Sequence, residues 1–196
     1  MAAEATRRRR AGELLDAIRE AVRAELADSG YRGVTFEGVA RRAGTSKPVL
    51  YRRFDNRADM VIDALVTSRL STPPAVFSGP LRDDLLGLAR GIMDRMGPGG
   101  VETFRGIIGE VDDATVARVS GLVMPQVEAW LSEIFERSRE AGELGPEPVP
   151  AAAVEAIVAL VRHQMVFVPG TERASGLERV VDEAMIPLLQ ATTNMR

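Results

Sequence analysis

Basic and hydroxyl side chains are concentrated between residues 45 and 57 of this 196-residue chain. Ser46 and Lys47 are followed, within one or two helical turns, by Tyr51 and a pair of arginines. From Arg32 to Arg57 there are seven basic and two acidic residues. Arginine, lysine and hydroxyl side chains are the groups with which proteins bind the phosphate oxygens of DNA. The chemistry open to this segment is therefore the binding of a polyanion.

Two short helices joined by a tight turn would hold these side chains on one surface. Thr35 is a helix-capping residue placed before an apolar-patterned segment, and Gly44 suits the left-handed conformation that ends a helix. Thr45 or Ser46 would then cap a second helix that runs to Phe54. This is the helix-turn-helix arrangement, whose second helix enters the major groove of DNA.

Helical periodicity covers the rest of the chain, and the sequence shows no strand-like alternation. The other predicted helices cover residues 11–29, 57–70, 81–96, 101–110, 114–121, 124–142, 151–168 and 175–190. The sequence therefore predicts an all-α protein of about nine to ten helices. A three-helix, helix-turn-helix DNA-binding domain would occupy residues 1–55. A helical domain would occupy residues 56–196, joined through the helix that starts near residue 57.

The two parts of the chain carry opposite charge. Residues 1–70 hold 14 basic and 10 acidic residues, whereas residues 71–196 hold 11 basic and 18 acidic ones. A polyanion would be attracted to the first part and repelled by the second. The four consecutive arginines Arg7 to Arg10 are open to two interpretations. They could form an arm that reaches a DNA groove or phosphates, or a solubilising tail.

The residue inventory argues against an enzyme. There is no cysteine and one histidine, so thiol catalysis and a histidine-rich metal site are excluded. Neighbouring carboxylates such as Asp112 and Asp113 lack a partner constellation for acid–base chemistry. We expect no cofactor and no metal. The absence of cysteine and of an apolar signal or membrane-spanning stretch predicts a cytoplasmic protein without membrane contact.

One pattern in the first third of the chain is specific. It reads Gly30-x4-Thr35-x3-Val39-Ala40-x2-Ala43-Gly44-x-Ser46-Lys47-x2-Leu50-Tyr51-x2-Phe54-x2-Arg57-x2-Met60. This pattern resembles the N-terminal DNA-binding domain of the tetracycline-repressor (TetR) family, and the resemblance covers about residues 10–65.

The resemblance implies which side chains contact DNA. Thr35 and Tyr51 occupy positions at which family members contact backbone phosphates, and Arg57 occupies the usual lysine position at the start of the fourth helix. The full set of implied DNA-binding residues is Thr35, Thr45, Ser46, Lys47, Tyr51, Arg52 and Arg57. For Tyr51 there is an alternative interpretation, in which its ring completes the core.

Apolar stripes on the last two helices indicate a second copy of the chain as partner. A helix that is apolar on two faces needs a second packing partner beyond its own core. The candidate interface residues are Val154, Ile157, Val158, Val161, Met165, Val181, Met185 and Leu188. TetR-like proteins dimerise through their last two long helices, so pattern and resemblance agree. A two-fold dimer predicts a palindromic operator.

The resemblance also implies a pocket in the C-terminal domain for an unknown small, largely apolar effector that releases the operator. The candidate lining residues are Met93, Met96, Phe104, Ile107, Trp130, Ile134, His163 and Phe167. The function predicted from the sequence is a sequence-specific transcriptional repressor controlled by a ligand. A ligand-independent regulator and an activator are the alternatives left open, and an enzyme is the least favoured.

Overall fold

The computed structural model describes residues 2–66, 73–96 and 99–194, with side chains from residue 11 onward except at residue 66. In this part of the chain all regular structure is helical, which confirms the all-α prediction. In chain order the helices are α1 (Ala2–Gly33), α2 (Phe36–Arg42), α3 (Lys47–Tyr51), α4 (Arg57–Val66), α5 (Leu81–Arg95), α6 (Gly100–Ile108), α7 (Asp113–Glu140), α8 (Ala151–Phe167), α9 (Gly170–Val180) and α10 (Ile186–Thr193), with a π-helical turn at Val181–Met185 between α9 and α10.

The described residues pack as two compact units. The first comprises those within Met1–Ser71 and Pro98–Ser120, and the second comprises those within Thr72–Gly97 and Gly121–Arg196. We call them the head and the body. α4 and α6 therefore belong to the head, although the sequence places both in a domain that starts at residue 56. The functional boundary at that residue stays a prediction.

The head is built around α1, which packs against α2, α4 and α6. Its apolar face supplies Ile18, Ala21 and Val22 to the core, because these residues recur at helical spacing. Gly30 interrupts the helix with φ 64°, so the last turn, which carries Tyr31, leaves in a new direction. The core residues contributed by the other head helices include Val39, Ala40, Leu50, Phe54, Ala58, Met60, Val61 and Ile107.

The body contains α5, the part of α7 from Gly121 onward, α8, α9 and α10. Its buried apolar residues include Leu81, Leu85, Leu88, Trp130, Leu131, Ile134, Ile157, Leu177, Val181, Met185 and Leu189. Arg82 on α5 donates to Asp182 at the π-helical turn with Nε–O and Nη2–O distances of 2.6 and 2.9 Å. The backbone N–H of Gly145 donates to the hydroxyl of Thr193 at 3.0 Å, which fixes the end of α10.

Several helix boundaries differ from the predicted ones, and α1, predicted at 11–29, spans Ala2–Gly33. α3 ends at Tyr51 and not at Phe54. The predicted helices at 114–121 and 124–142 are one helix, α7, with Pro125 inside it. A proline removes one backbone hydrogen bond and tends to bend a helix, yet α7 continues on both sides of Pro125. The helix predicted at residues 175–190 corresponds to α9, the π-helical turn and α10 together, and it begins at Gly170, five residues earlier than predicted.

Some predictions fall on residues that the structure does not describe. The predicted end of the fourth helix near residue 70 and most of the linker after it lie in residues 67–72, outside the described residues. The backbone of Arg7 to Arg10 is helical as part of α1, but their side chains lie outside the description, and the two interpretations of this segment stay open. None of the helices in the described part of the chain combines the length and apolarity that a bilayer-spanning helix needs.

Candidate nucleic-acid interface

The turn between α2 and α3 is fixed by one capping side chain and by the backbone. The Thr35 hydroxyl oxygen accepts the N–H of Gly38 at 3.0 Å, which is the predicted N-cap. Gly44 has φ 63°, a conformation that favours glycine, and the N–H of Thr45 donates to the carbonyl of Ala40 at 2.9 Å. Thr35 is exposed, and its hydroxyl oxygen accepts the capping bond, so its O–H is still able to donate a hydrogen bond.

α3 presents one buried and one exposed face. Leu50 is fully buried, whereas Ser46, Lys47 and Arg52 are exposed and Thr45 is half-buried. Ser46 is the N-cap of α3, yet its hydroxyl makes no capping hydrogen bond. The structure therefore leaves Ser46, Lys47 and the half-buried Thr45 at the N-terminal end of α3, where base contacts are made in helix-turn-helix proteins, and places Arg52 at the other end, at the C-cap.

Tyr51 lies on this surface and not in the core. Its residue is 59% exposed, so the interpretation that its ring completes the core is wrong. The ring stacks on Phe36 of α2, with a centroid distance of 4.4 Å and an interplanar angle of 7°. This contact packs one face of the phenol ring against Phe36 while the residue as a whole stays exposed.

Lys47 is paired with a carboxylate of the neighbouring helix. Its Nζ lies 2.7 Å from Glu37 of α2, and both side chains are exposed. The hydrogen bond from Lys47 lowers the pKa of Glu37, and the same bond raises the pKa of Lys47. Exposed pairs of this kind are weak and exchange readily with solvent ions or with a phosphate. The ammonium is therefore available to a stronger polyanion.

Arg57 is held by groups of the head itself. Its Nε donates to Glu110 at 3.3 Å, its Nη2 donates to the other oxygen of the same carboxylate, and its Nη1 donates to the Arg32 carbonyl at 3.2 Å. The guanidinium carbon also lies 4.6 Å from the ring centroid of Tyr31. The hydrogen bond from Arg57 lowers the pKa of Glu110. The residue predicted to bind phosphate thus starts from a bidentate ion pair with a carboxylate.

α2 is anchored to α1 by a second arginine. Arg42 donates to Glu25 at 3.0 Å and to Asp28 at 2.6 Å. Glu25 is buried, and a Cβ added to Gly38 would lie 2.7 Å from its carboxylate oxygen. Only a glycine at position 38 allows this approach. The two short helices are thereby held on the long one as a rigid frame for the exposed face of α3.

Sequence comparison identifies the family. The profile described as "Bacterial regulatory proteins, tetR family" matches residues 18–64, which span the second half of α1, α2, α3 and most of α4. The profile described as "Tetracyclin repressor-like, C-terminal domain" matches residues 78–184, more than half of the chain. The chain belongs to the TetR family. It is a TetR-family transcriptional regulator, as the residue pattern in its head predicts.

Individual proteins are similar to this chain in sequence or in fold. Uncharacterized HTH-type transcriptional regulators of Mycobacterium bovis and Mycobacterium tuberculosis are 24% identical over 172 residues, which cover 86% of this chain and 84% of the relative. The crystal structure of a TetR family transcription regulator matches with a TM-score of 0.61 at 24% identity, over 87% of this chain and 96% of that one. FadR from Bacillus subtilis, solved in complex with stearoyl-CoA, matches with a TM-score of 0.59 at 14% identity, over 92% and 97%.

The residues predicted to line a ligand pocket are found in different places. Ile107 packs in the core of the head, and Phe104 belongs to the head as well, which removes both from a pocket within the body. Trp130 and Ile134 are buried on α7 in the body. Met93 is half-buried on α5, and Met96 is half-buried at its C-cap. His163 and Phe167 are exposed on α8, their rings 5.4 Å apart.

The residues predicted for the dimer interface divide into two groups. Ile157, Met165, Val181 and Met185 are buried within their own chain, so they are not available to a second copy. The remaining four, Val154, Val158, Val161 and Leu188, are half-buried. The sequence predicts two apolar stripes on α8 but does not say which one faces the chain's own core, and the stripe through Ile157 is the inner one.

Sequence reasoning missed the partners of the predicted cations. Glu37, Glu110 and Tyr31 contact Lys47 and Arg57, and none of them belongs to the recognised pattern. Glu110 is separated from Arg57 by 53 positions, so no local spacing could have connected them. In the described part of the chain no cluster of three or more acidic or histidine side chains could hold a metal ion.

Proposed function

We propose that the chain is a homodimeric repressor that binds a palindromic DNA operator through α2, α3 and the start of α4, and that a small apolar effector releases it. The observation that carries the DNA contact is the exposed face of α3. Its hydroxyl and basic side chains surround Tyr51, which the Phe36 ring holds in place. The proposed contacts are Thr35, Thr45, Ser46, Lys47, Tyr51, Arg52 and Arg57.

Selection of bound DNA from the source genome tests this proposal. The purified chain is mixed with sheared genomic fragments, retained fragments are sequenced, and the shared site is confirmed by footprinting. We expect an inverted repeat whose half-sites lie about one helical turn of DNA, or a multiple of it, apart. Retention of no fragment above background would contradict the proposal. A directly repeated or single half-site would contradict the dimeric part of it.

The dimer would form through the outer faces of α8 and the last helix. One exposed or half-buried stripe on α8 is small or aromatic and contains Ala152, Ala156, Ala159, His163 and Phe167. A second stripe runs along the end of α9, the π-helical turn and α10 and contains Val180, Ala184, Pro187, Leu188 and Ala191. Phe167 is 73% exposed, and its ring lies 5.4 Å from that of His163 on the first stripe. A second copy would cover both stripes.

One matched pair of variants tests this interface. His163→Glu places a charge on the proposed face, whereas Arg162→Glu places the same side chain on the adjacent residue, about 100° around the helix. Both positions are exposed, so neither variant disturbs the core of its own chain. We expect His163→Glu to sediment as a monomer and Arg162→Glu to sediment as a dimer. A dimer in both variants would exclude this face of α8.

The effector would bind in the body among the half-buried and buried apolar side chains of α5 and α7. Met93, Met96, Trp130 and Ile134 are the predicted lining residues that lie on these helices or at their ends within the body. FadR from Bacillus subtilis binds stearoyl-CoA in its crystal structure, which makes long-chain acyl-CoA a first probe for this chain. The effector would act by binding the DNA-free conformation more tightly than the DNA-bound one.

Titration of the selected operator complex at fixed salt tests the effector. We expect a ligand with a long apolar chain to lower operator affinity, and Trp130→Ala to weaken that response more than the affinity for DNA. If DNA binding is unchanged by acyl-CoAs and by a panel of apolar metabolites, the ligand-independent regulator becomes the favoured function. Transcription measured from the operator in vitro distinguishes a repressor from an activator.

A further inference from the structure

The guanidinium of Arg57 is occupied inside the head. Two of its nitrogens donate to the two carboxylate oxygens of Glu110, and a third donates to the carbonyl of Arg32. The ring of Tyr31 covers the guanidinium, and its hydroxyl donates to Glu110 at 2.8 Å. Three of the five N–H donors of the guanidinium are thereby used, and its charge is paired with a carboxylate, so a phosphate has to compete for it.

Glu110 is carried by the segment that ends α6. It lies two residues beyond Ile108, the last residue of that helix. α6 rests directly on Tyr31, because a Cβ added to Gly106 would lie 2.4 Å from the tyrosine ring. Any displacement of α6 along α1 therefore moves the carboxylate relative to Arg57.

We propose that Glu110 competes with a DNA phosphate for Arg57, so that the segment after α6 sets how tightly the head binds DNA. While Glu110 is engaged, its charge cancels that of Arg57 and phosphate binding has to break the pair. When Glu110 is withdrawn or neutralised, Arg57 adds a full positive charge and a bidentate donor to the interface. This inference rests on the proposed role of Arg57 in DNA binding.

In a second ion pair of the head α4 supplies the acid and not the base, so this pair can anchor α4 but cannot compete with a phosphate. Arg118 on α7 donates to Asp59, which follows Arg57 by two residues on α4. This pair also ties the first turn of α4 to the segment after α6, but the α4 partner is an acid that has no use for phosphate. Loss of the Arg118–Asp59 pair removes an anchor without releasing a cation toward DNA.

A double-mutant cycle on Glu110 and Arg57 tests the proposal. The variants are Glu110→Gln, Arg57→Gln and their combination. The affinity for the selected operator duplex is measured over a series of salt concentrations. Glu102→Gln, which neutralises an exposed carboxylate in the first turn of α6, is the matched control.

Competition predicts a gain of affinity in one variant alone. Glu110→Gln should bind about threefold to tenfold more tightly, as expected for one released ionic contact. The slope of log affinity against log salt should steepen by about 0.9 for each bound subunit. Glu102→Gln should leave the slope unchanged. The double variant should lose the gain, so that Arg57→Gln costs more in the Glu110→Gln background than in the native chain.

Two results would overturn the proposal. One is a Glu110→Gln variant that binds with native affinity and slope. The other is a gain that persists in the double variant, because Arg57 would then not be its source. Thermal unfolding is recorded for each variant, and Glu110→Asp, which shortens the carboxylate by one methylene, replaces Glu110→Gln if that variant does not fold. For Glu110→Asp the same direction of change is required. If the native chain retains no DNA fragment at all, the proposed function has failed. If the native chain binds DNA but the effects of the Glu110 and Arg57 variants are additive, only the competition is refuted.

Discussion

Tyr51 offers a way to separate a structural contribution from a DNA contact at a single position. The ring stacks on Phe36 at 4.4 Å, and the residue is 59% exposed. Tyr51→Phe keeps the stacked ring and removes only the hydroxyl. Tyr51→Ala removes both. If the ring supports the fold of the helix-turn-helix and the hydroxyl contacts a phosphate, the two variants will differ in stability but share a loss of DNA affinity.

The size of each effect follows from the geometry. A fully packed aromatic side chain buries roughly 150–250 Å². With 59% of Tyr51 exposed, the buried part amounts to about 60–100 Å². At about 25 cal/mol per Å², and with about 0.5–1.5 kcal/mol for the ring pair, Tyr51→Ala should lower the free energy of unfolding by about 2–3 kcal/mol after allowance for the Cβ that alanine keeps. Tyr51→Phe should change it by less than about 0.5 kcal/mol.

Denaturant unfolding and operator binding, measured on the same preparations, check both parts. Loss of one hydrogen bond to a charged phosphate should weaken binding of Tyr51→Phe by about 1.5–3 kcal/mol per subunit, or at least roughly tenfold. Its salt slope should stay native, because a neutral hydroxyl releases no counterion. Native affinity in Tyr51→Phe would refute the phosphate contact. An unfolding free energy of Tyr51→Ala equal to that of the native chain would refute the stacking argument.

Three further predictions concern the head. Thr35→Val, which lacks the capping oxygen, should lower the free energy of unfolding by about 1 kcal/mol, whereas Thr35→Ser should restore most of it in denaturant titrations. Gly106→Ala should destabilise the chain by about 1–3 kcal/mol because its Cβ meets the Tyr31 ring, whereas Gly121→Ala on α7 has open space and should stabilise it by up to about 1 kcal/mol; equal effects would contradict the close approach of α6. Burial and the hydrogen bond to Glu110 raise the pKa of Tyr31 to about 12, and in the Tyr51→Phe variant tyrosinate absorbance reports this residue alone, so the midpoint should lie near 12. Because the pKa of Tyr31 exceeds the usual value of 10.0, the stability that the protonated phenol contributes is complete below pH 10 and is lost as the pH rises through 12. A midpoint near 10 would contradict the buried hydrogen bond.

Local chemistry made the helix-turn-helix predictable. Thr35 caps α2 and Gly44 takes the left-handed conformation, as expected from residue types that favour these positions. Ser46 and Lys47 are exposed because they lie at the N-terminal end of α3, ahead of its first buried residue, Leu50. All of these features depend on residues within about one turn of each other, which is the range over which sequence spacing determines geometry.

Packing over long sequence separations was not predictable in the same way. The pair between Arg57 and Glu110 joins residues 53 positions apart, and no periodicity links them. On α8 the pattern revealed two apolar stripes, but the choice of the inner one depends on where α9 packs. Ile157 and Met165 were therefore predicted at an interface and lie in the core. A break between residues 121 and 124 was predicted, whereas α7 is continuous there, with Pro125 inside it.

The π-helical turn at Val181–Met185 makes the number of residues in the last helix as important as their types. Such a turn holds one residue more than an α-helical turn, so a return of this turn to α-helical geometry, with all its residues kept, would rotate every side chain of α10 by about 100°. Leu189 and Thr193, both fully buried, would then leave the core together. Deletion of one residue within the turn should therefore leave the facing of α10 unchanged, whereas deletion of one residue at the start of α10 should displace these buried side chains.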